Sequence, residues 1–186
     1  FITLSIFFSF IFKKLSFRKY KKFFFYFGWF FGFGYFLTSL YWITISLTFD
    51  ENFSFLIPIA LILIPSFLAS FYGLSTLVFY LIAPKNIMSA FFLFSLLFGM
   101  TEFLRGTILT GFPWNLIVYS FSDNRIFISI ISLIGTYSLN LLVISFFIAP
   151  AIYVLRKSKK EIVVCIILFF FFNFFFKLWN FSKKKI

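Results

Sequence analysis

Long, nearly uncharged apolar runs recur along this sequence, at 23–47, 55–83, 87–106 and 126–155. A run of about 18 apolar residues is enough to cross a ~30 Å hydrocarbon core as a helix. Such runs exclude a water-soluble globule unless polar surface is available to cover them. It is not: the chain is 62% hydrophobic and 12% charged, against about 45–50% and 25% in soluble domains. Phenylalanine alone accounts for 38 of 186 residues. The expected fold is all-α, a polytopic transmembrane helical bundle with about five full spans plus one truncated N-terminal span.

The truncated span is the opening run, 1–12. As a helix it would rise only about 18 Å, short of the hydrocarbon core. The chain begins at Phe1 and its only methionines are Met88 and Met100, so the run reads as the back half of a span. A signal-peptide core would carry its positive charges in front, whereas here they follow, in the basic segment 13–22. The bundle proper is expected over 23–178. Its third span carries Pro58 and Pro65, its fifth is 126–155, tilted or bent near Pro150, and its sixth is 162–176. The stretch 107–125 is too polar and punctuated to cross, and its apolar piece 116–121 is expected along the interface. Residues 179–186 form a tail.

Charge fixes the orientation. Six Lys/Arg lie in 13–22, one at Lys85 and four in 156–160, all in loops on one side. The positive-inside rule makes that side cytoplasmic. The acidic turn at Asp50 and Glu51, the loop 107–125 and the tail then face outward. A net charge of +12 invites a nucleic-acid reading. The charges, however, sit in short clusters beside apolar runs, where they contact anionic lipid heads. The bilayer is the expected partner, and nucleic acid is not.

The inventory for chemistry is thin. There is no histidine, the commonest general base and metal ligand. One cysteine, Cys165, precludes an internal disulfide and a multi-cysteine metal site. No metal and no cofactor are expected. Cys165 has no neighbouring base or cation to form a thiolate and reads as a small core hydrophobe. The sharpest feature is Thr101-Glu102-Phe103-Leu104-Arg105-Gly106, followed by Gly111-Phe112-Pro113-Trp114. Glu102 and Arg105, three apart, share a helix face. Buried charge in a span marks an interior pair or a pathway, and a helix-ending salt bridge is the plainer alternative. In the second motif glycine permits a tight turn, proline fixes φ and extends Phe112, and Trp114 suits an interfacial belt. Gly28 and Gly32 form a small-xxx-small surface for a close helix partner, which Gly34 extends. Tyr41-Trp42 suits the aromatic belt.

The order Glu102-x-x-Arg105-Gly106, Gly111-Phe112-Pro113-Trp114, Tyr119, then Gly135-x-Tyr137 resembles the membrane region of bacterial apolipoprotein N-acyltransferases. The resemblance covers about 23–179 and is most specific over 102–114. It implies a multi-pass protein of the bacterial inner membrane. Its partners would be a phospholipid acyl donor and a diacylglyceryl lipoprotein, whose N-terminal cysteine receives the acyl chain. In the family the reaction runs through a thioester on a cysteine in a nitrilase-like periplasmic domain, together with a glutamate and a lysine. None of these three has a counterpart in this sequence, so no catalytic residue is assigned and the chain alone is not expected to be catalytic. The tail 179–186 would lead toward such a domain. Glu102, Arg105, Gly111, Phe112, Pro113, Trp114 and Tyr119 are the expected lipid or substrate loop. A small transporter-like or scaffold membrane protein is the alternative. Beyond the Glu102/Arg105 pair no second ionisable cluster lies within the spans, only neutral candidates such as Asn140 and Asn173, where transporters usually place several polar groups.

Overall fold

A computed structural model describes residues 2–15, 21–49, 51–108, 111–122, 125–156 and 160–183. Arg18 and Lys19 of the basic segment, Asp50 of the acidic turn, Lys157 and Lys159, and 184–186 of the tail lie outside the described residues. Among those described, every regular element is helical. The α-helices are α1 (Ile2–Lys14), α2 (Lys21–Leu40), α3 (Ile57–Ile82), α4 (Ile87–Thr107), α5 (Arg125–Ile134), α6 (Thr136–Leu155) and α7 (Lys160–Lys183). Short 3-10 helices cover Tyr41–Thr48, Glu51–Leu56 and Ile117–Phe121.

Among the described residues, four helical stretches are long and apolar enough to cross a membrane: Lys21–Thr48, Ser54–Ile82, Ile87–Thr107 and Thr136–Leu155. Their exposed faces carry Phe30, Leu63, Phe67, Phe92, Leu96 and Met100. Such faces suit hydrocarbon rather than water. The chain divides into two packing units. One holds 1–16, 83–103 and 116–186, the other 17–82 and 104–115.

In the second unit α2 and α3 form a tight antiparallel pair. A Cβ on Gly28 would meet the Thr76 side chain and the Tyr72 carbonyl, and one on Gly32 would press on Ala69 and Tyr72. The absence of those carbons sets how closely the helices approach. Close approach in turn permits polar contacts between them. Thr76 Oγ1 donates to the Phe24 carbonyl at 2.8 Å, and Trp29 Nε1 to the Ser66 carbonyl at 3.0 Å. Tyr72 meets Tyr35 and Phe36 ring to ring. The expected extension through Gly34 is corrected: a Cβ there meets nothing within 4 Å. At 3.6 residues per turn Gly34 lies well round the helix from Gly28 and Gly32. Past Leu40 the helix tightens into 3-10 turns. Thr38, Ser39, Thr44, Ser46 and Thr48 bond back to carbonyls three or four residues earlier, a competition that loosens α-helical pairing.

In the first unit an aromatic core joins α1 to α4. Phe8 meets Phe94 at 5.0 Å between ring centroids, and Phe94 stacks on Phe98 at 4.3 Å. Ser5 Oγ donates to the Phe147 carbonyl and ties α1 to α6. The expected single span 126–155 is two helices instead. Gly135 breaks it at φ +82° and ψ 157°, a conformation of glycine, while Pro150 lies inside a continuous α6. The glycine was visible, but apolarity on both sides of it masked the break.

Replacing Gly28 by Ala should destabilise the protein by about 1–3 kcal/mol, since backbone must move. Gly34→Ala should be neutral or stabilising by up to about 1 kcal/mol through helix propensity. Thermal unfolding in detergent micelles reads both, and equal shifts would contradict the packing described.

Candidate functional site: a loop held by a buried arginine

The last turn of α4 ends at Thr107, and the chain then doubles back on it. The Gly111 N–H donates to the Ile108 carbonyl at 3.0 Å and the Phe112 N–H to the Arg105 carbonyl at 2.9 Å. These bonds occupy carbonyls that a helix end leaves without partners. Gly111 makes the reversal possible. Its φ is +72°, and a Cβ there would sit 2.7 Å from the Gly106 carbonyl oxygen, so both conformation and space require glycine.

Arg105 holds the returning strand from its other side. Its Nη1 donates to the Phe112 carbonyl at 2.7 Å and to the Trp114 carbonyl at 2.9 Å. The guanidinium lies 5.1 Å from the centre of the Phe36 ring and 6.0 Å from that of Phe112, in cation–π range. Only 2% of the residue is exposed. A charge so buried is tolerated when carbonyls and ring faces replace water, and its place at a helix C-terminus adds a favourable dipole.

The loop is then stitched to the end of α2. Asn115 adopts φ 56°, a left-handed conformation that asparagine tolerates better than most residues. Its Nδ2 donates to the Ser39 carbonyl at 2.9 Å, and its own carbonyl accepts from the Tyr35 hydroxyl at 2.8 Å. Trp114 meets Trp42 edge-on at 6.1 Å and keeps 57% of its surface exposed. Beside this loop opens a cleft of about 550 Å³, lined by Ile64, Phe67 and Phe71 of α3 and by Arg105, Ile108 and Phe112. An apolar cleft with one charged group at its wall suits an amphipathic ligand with a long hydrocarbon part.

The structure brings together Arg105, Gly111, Phe112 and Trp114 of the expected residues, with Pro113 between the last two. Glu102 is fully buried on α4, one turn before Arg105. Tyr119 is exposed on the 3-10 helix 117–121. That helix is held by Asn140, whose Oδ1 accepts from the Val118 N–H at 2.8 Å. Both Glu102 and Tyr119 belong to the packing unit that also holds α6. Tyr35, Ser39, Asn115 and the α3 wall escaped the sequence reading. Phe67 and Phe71, one turn apart, were signals hidden in a uniformly apolar helix. Asn115, a polar residue just after Pro113-Trp114, was the legible one. Among the described residues no group of three or more His, Cys, Asp or Glu is placed to hold a metal.

Membrane-length helices among the described residues, with an arginine-held loop beside an apolar cleft, define a helical membrane protein. Residues 1–149 match the family described as apolipoprotein N-acyltransferase N-terminal domain, and the chain belongs to that family. The apolipoprotein N-acyltransferase of Rickettsia typhi is 41% identical over 129 residues, covering 68% of this chain and 25% of that protein. That of Allorhizobium ampelinum is 34% identical over 137 residues, 73% of this chain and 26% of that protein. That of Rhodopseudomonas palustris is 38% identical over 129 residues, 68% and 24%. The chain spans about a quarter of the length of the curated relatives it matches. No solved structure matches it.

Arg105→Met keeps the bulk and removes the donors. Bonds to a charged group are worth about 1.5–3 kcal/mol each, so the loop should open at least tenfold more often. Amide exchange over 111–116 by mass spectrometry should rise accordingly, while α2 and α3 stay protected. Unchanged exchange in the loop would show that Arg105 does not hold it.

Proposed function

We propose that this chain is the membrane region of an apolipoprotein N-acyltransferase, binding a phospholipid acyl donor for transfer of its acyl chain to the N-terminal diacylglyceryl-cysteine of lipoproteins. The observation that carries the reading is the apolar cleft walled by α3 and closed by the loop that Arg105 holds. It is supported by membership of the family. In this reading the protein sits in the bacterial inner membrane as a multi-pass bundle over 23–178. The segment 13–22 is cytoplasmic, and 107–125 and the tail 179–186 face outward. The tail leads toward the periplasmic catalytic domain.

The role assigned to these residues is binding and orientation. Phe67, Phe71, Ile108 and Phe112 receive hydrocarbon, and burial of each methylene contributes about 0.8 kcal/mol. Arg105 contributes mainly by keeping the loop closed, because its Nη1 is already engaged by two carbonyls. Trp114, half in and half out, marks the depth at which acyl chain gives way to head group. Glu102 and Tyr119 join this assignment on the sequence motif alone. Cys165 plays no part. Its thiol is half-buried and donates weakly to the Ala149 carbonyl at 3.4 Å.

A chimera tests this. Residues 1–149 of this chain replace the matching region of the Rickettsia typhi relative, in cells depleted of their own enzyme. Mass spectrometry of lipoprotein N-termini should show N-acylation restored. Arg105→Gln or Glu102→Gln in the chimera should lower it at least tenfold, with membrane insertion retained. A correctly inserted chimera without acylation would sink the reading. Full activity in both variants would remove the loop from it.

A further inference from the structure

We propose that the groove between α6 and α7 binds one anionic phospholipid, with an acyl chain along the groove and the phosphate on Arg156. The groove measures about 650 Å³, within the usual range of small-molecule sites. Its walls include Phe146, Pro150 and Tyr153 of α6 and Ile162, Ile166 and Phe169 of α7. From Tyr153 back to Phe146 α6 rises about 10 Å, which fits within one ~15 Å leaflet of hydrocarbon.

The occupant is chosen by the charge at the mouth. The Arg156 guanidinium lies 3.9 Å from the centre of the Tyr153 ring, and its Nη1 donates to the Tyr153 carbonyl at 2.8 Å. This anchors an exposed arginine directly over a wall of the groove. A guanidinium has five N–H donors in a fork matched to phosphate oxygens, so anchoring one nitrogen leaves donors for a head group. The sequence around it, Arg156 to Glu161, carries four positive charges against one negative, and such clusters draw anionic lipid. An uncharged second helix would fill the apolar part but give Arg156 no counter-charge. A zwitterionic lipid would fill both more weakly. The site lies wholly within the unit that contains α6 and α7, and it stands whether or not the acyl-transfer reading holds.

The test uses the full 186-residue chain in phosphatidylcholine nanodiscs doped with phosphatidylglycerol bearing a photoreactive acyl chain. Mass spectrometry should place the label in 146–153 and 162–170, competed by unlabelled phosphatidylglycerol and not by extra phosphatidylcholine. Arg156→Gln should cut labelling about fivefold, the usual effect of one basic residue near the surface. Arg156→Lys should restore at least half, and Ile166→Trp, which fills the groove, should abolish it. Helicity by circular dichroism confirms that each variant folds. Equal competition by phosphatidylcholine, or undiminished labelling in Arg156→Gln, overturns the proposal. So does replacement of the label in these segments by cross-links to a second copy of the chain.

Discussion

A guanidinium taken out of water must find acceptors, and at the end of α4 two main-chain carbonyls serve as such. That constraint organises the loop at the end of α4. Arg105 takes the carbonyls of Phe112 and Trp114. To deliver them the chain must reverse within a few residues, and the reversal demands glycine at 111. Once closed, the loop presents Asn115 to the last carbonyls of α2. Each step satisfies a polar group that hydrocarbon would leave stranded. The cost of burying one charge is spread over a backbone segment, two aromatic rings and a helix end.

The same economy governs the α2–α3 pair, with opposite means. There the apolar surfaces supply little driving force in lipid, which is as oily as leucine. What holds the helices is closeness, and closeness comes from the hydrogens that stand where side chains would be at Gly28 and Gly32. Thr76 and Trp29 then reach carbonyls across the interface. Packing and polar bonds reinforce each other, since neither is available at a wider spacing.

How much of this was legible in the sequence depends on which signal carried it. The helical class was plain, because runs such as 87–106 allow no other fold. The family was legible in 102–114, where Glu102, Arg105 and the Gly-Phe-Pro-Trp turn stand in a fixed order. The partners of Arg105 were not. A side chain bonding to carbonyls depends on where the backbone goes, and carbonyls carry no residue identity. Nor was the α3 wall, since one stripe of phenylalanines looks like another when the whole helix is apolar. Gly135 stands in a motif but does not read as a break, because hydropathy alone cannot tell one long apolar run from two helices meeting at a glycine of positive φ.

The polar bonds between α2 and α3 also bear on how the chain is made. The Thr76 hydroxyl has acceptors on its own helix at Tyr72 and Gly73, but the Trp29 N–H finds its acceptor on the facing helix, at Ser66. α2 ends at Leu40 and α3 begins at Ile57, so the ribosome delivers both halves of that interface in quick succession. The pair is suited to leave the translocon as one preassembled helical hairpin. α2 then does not have to carry its indole N–H alone in lipid before α3 arrives.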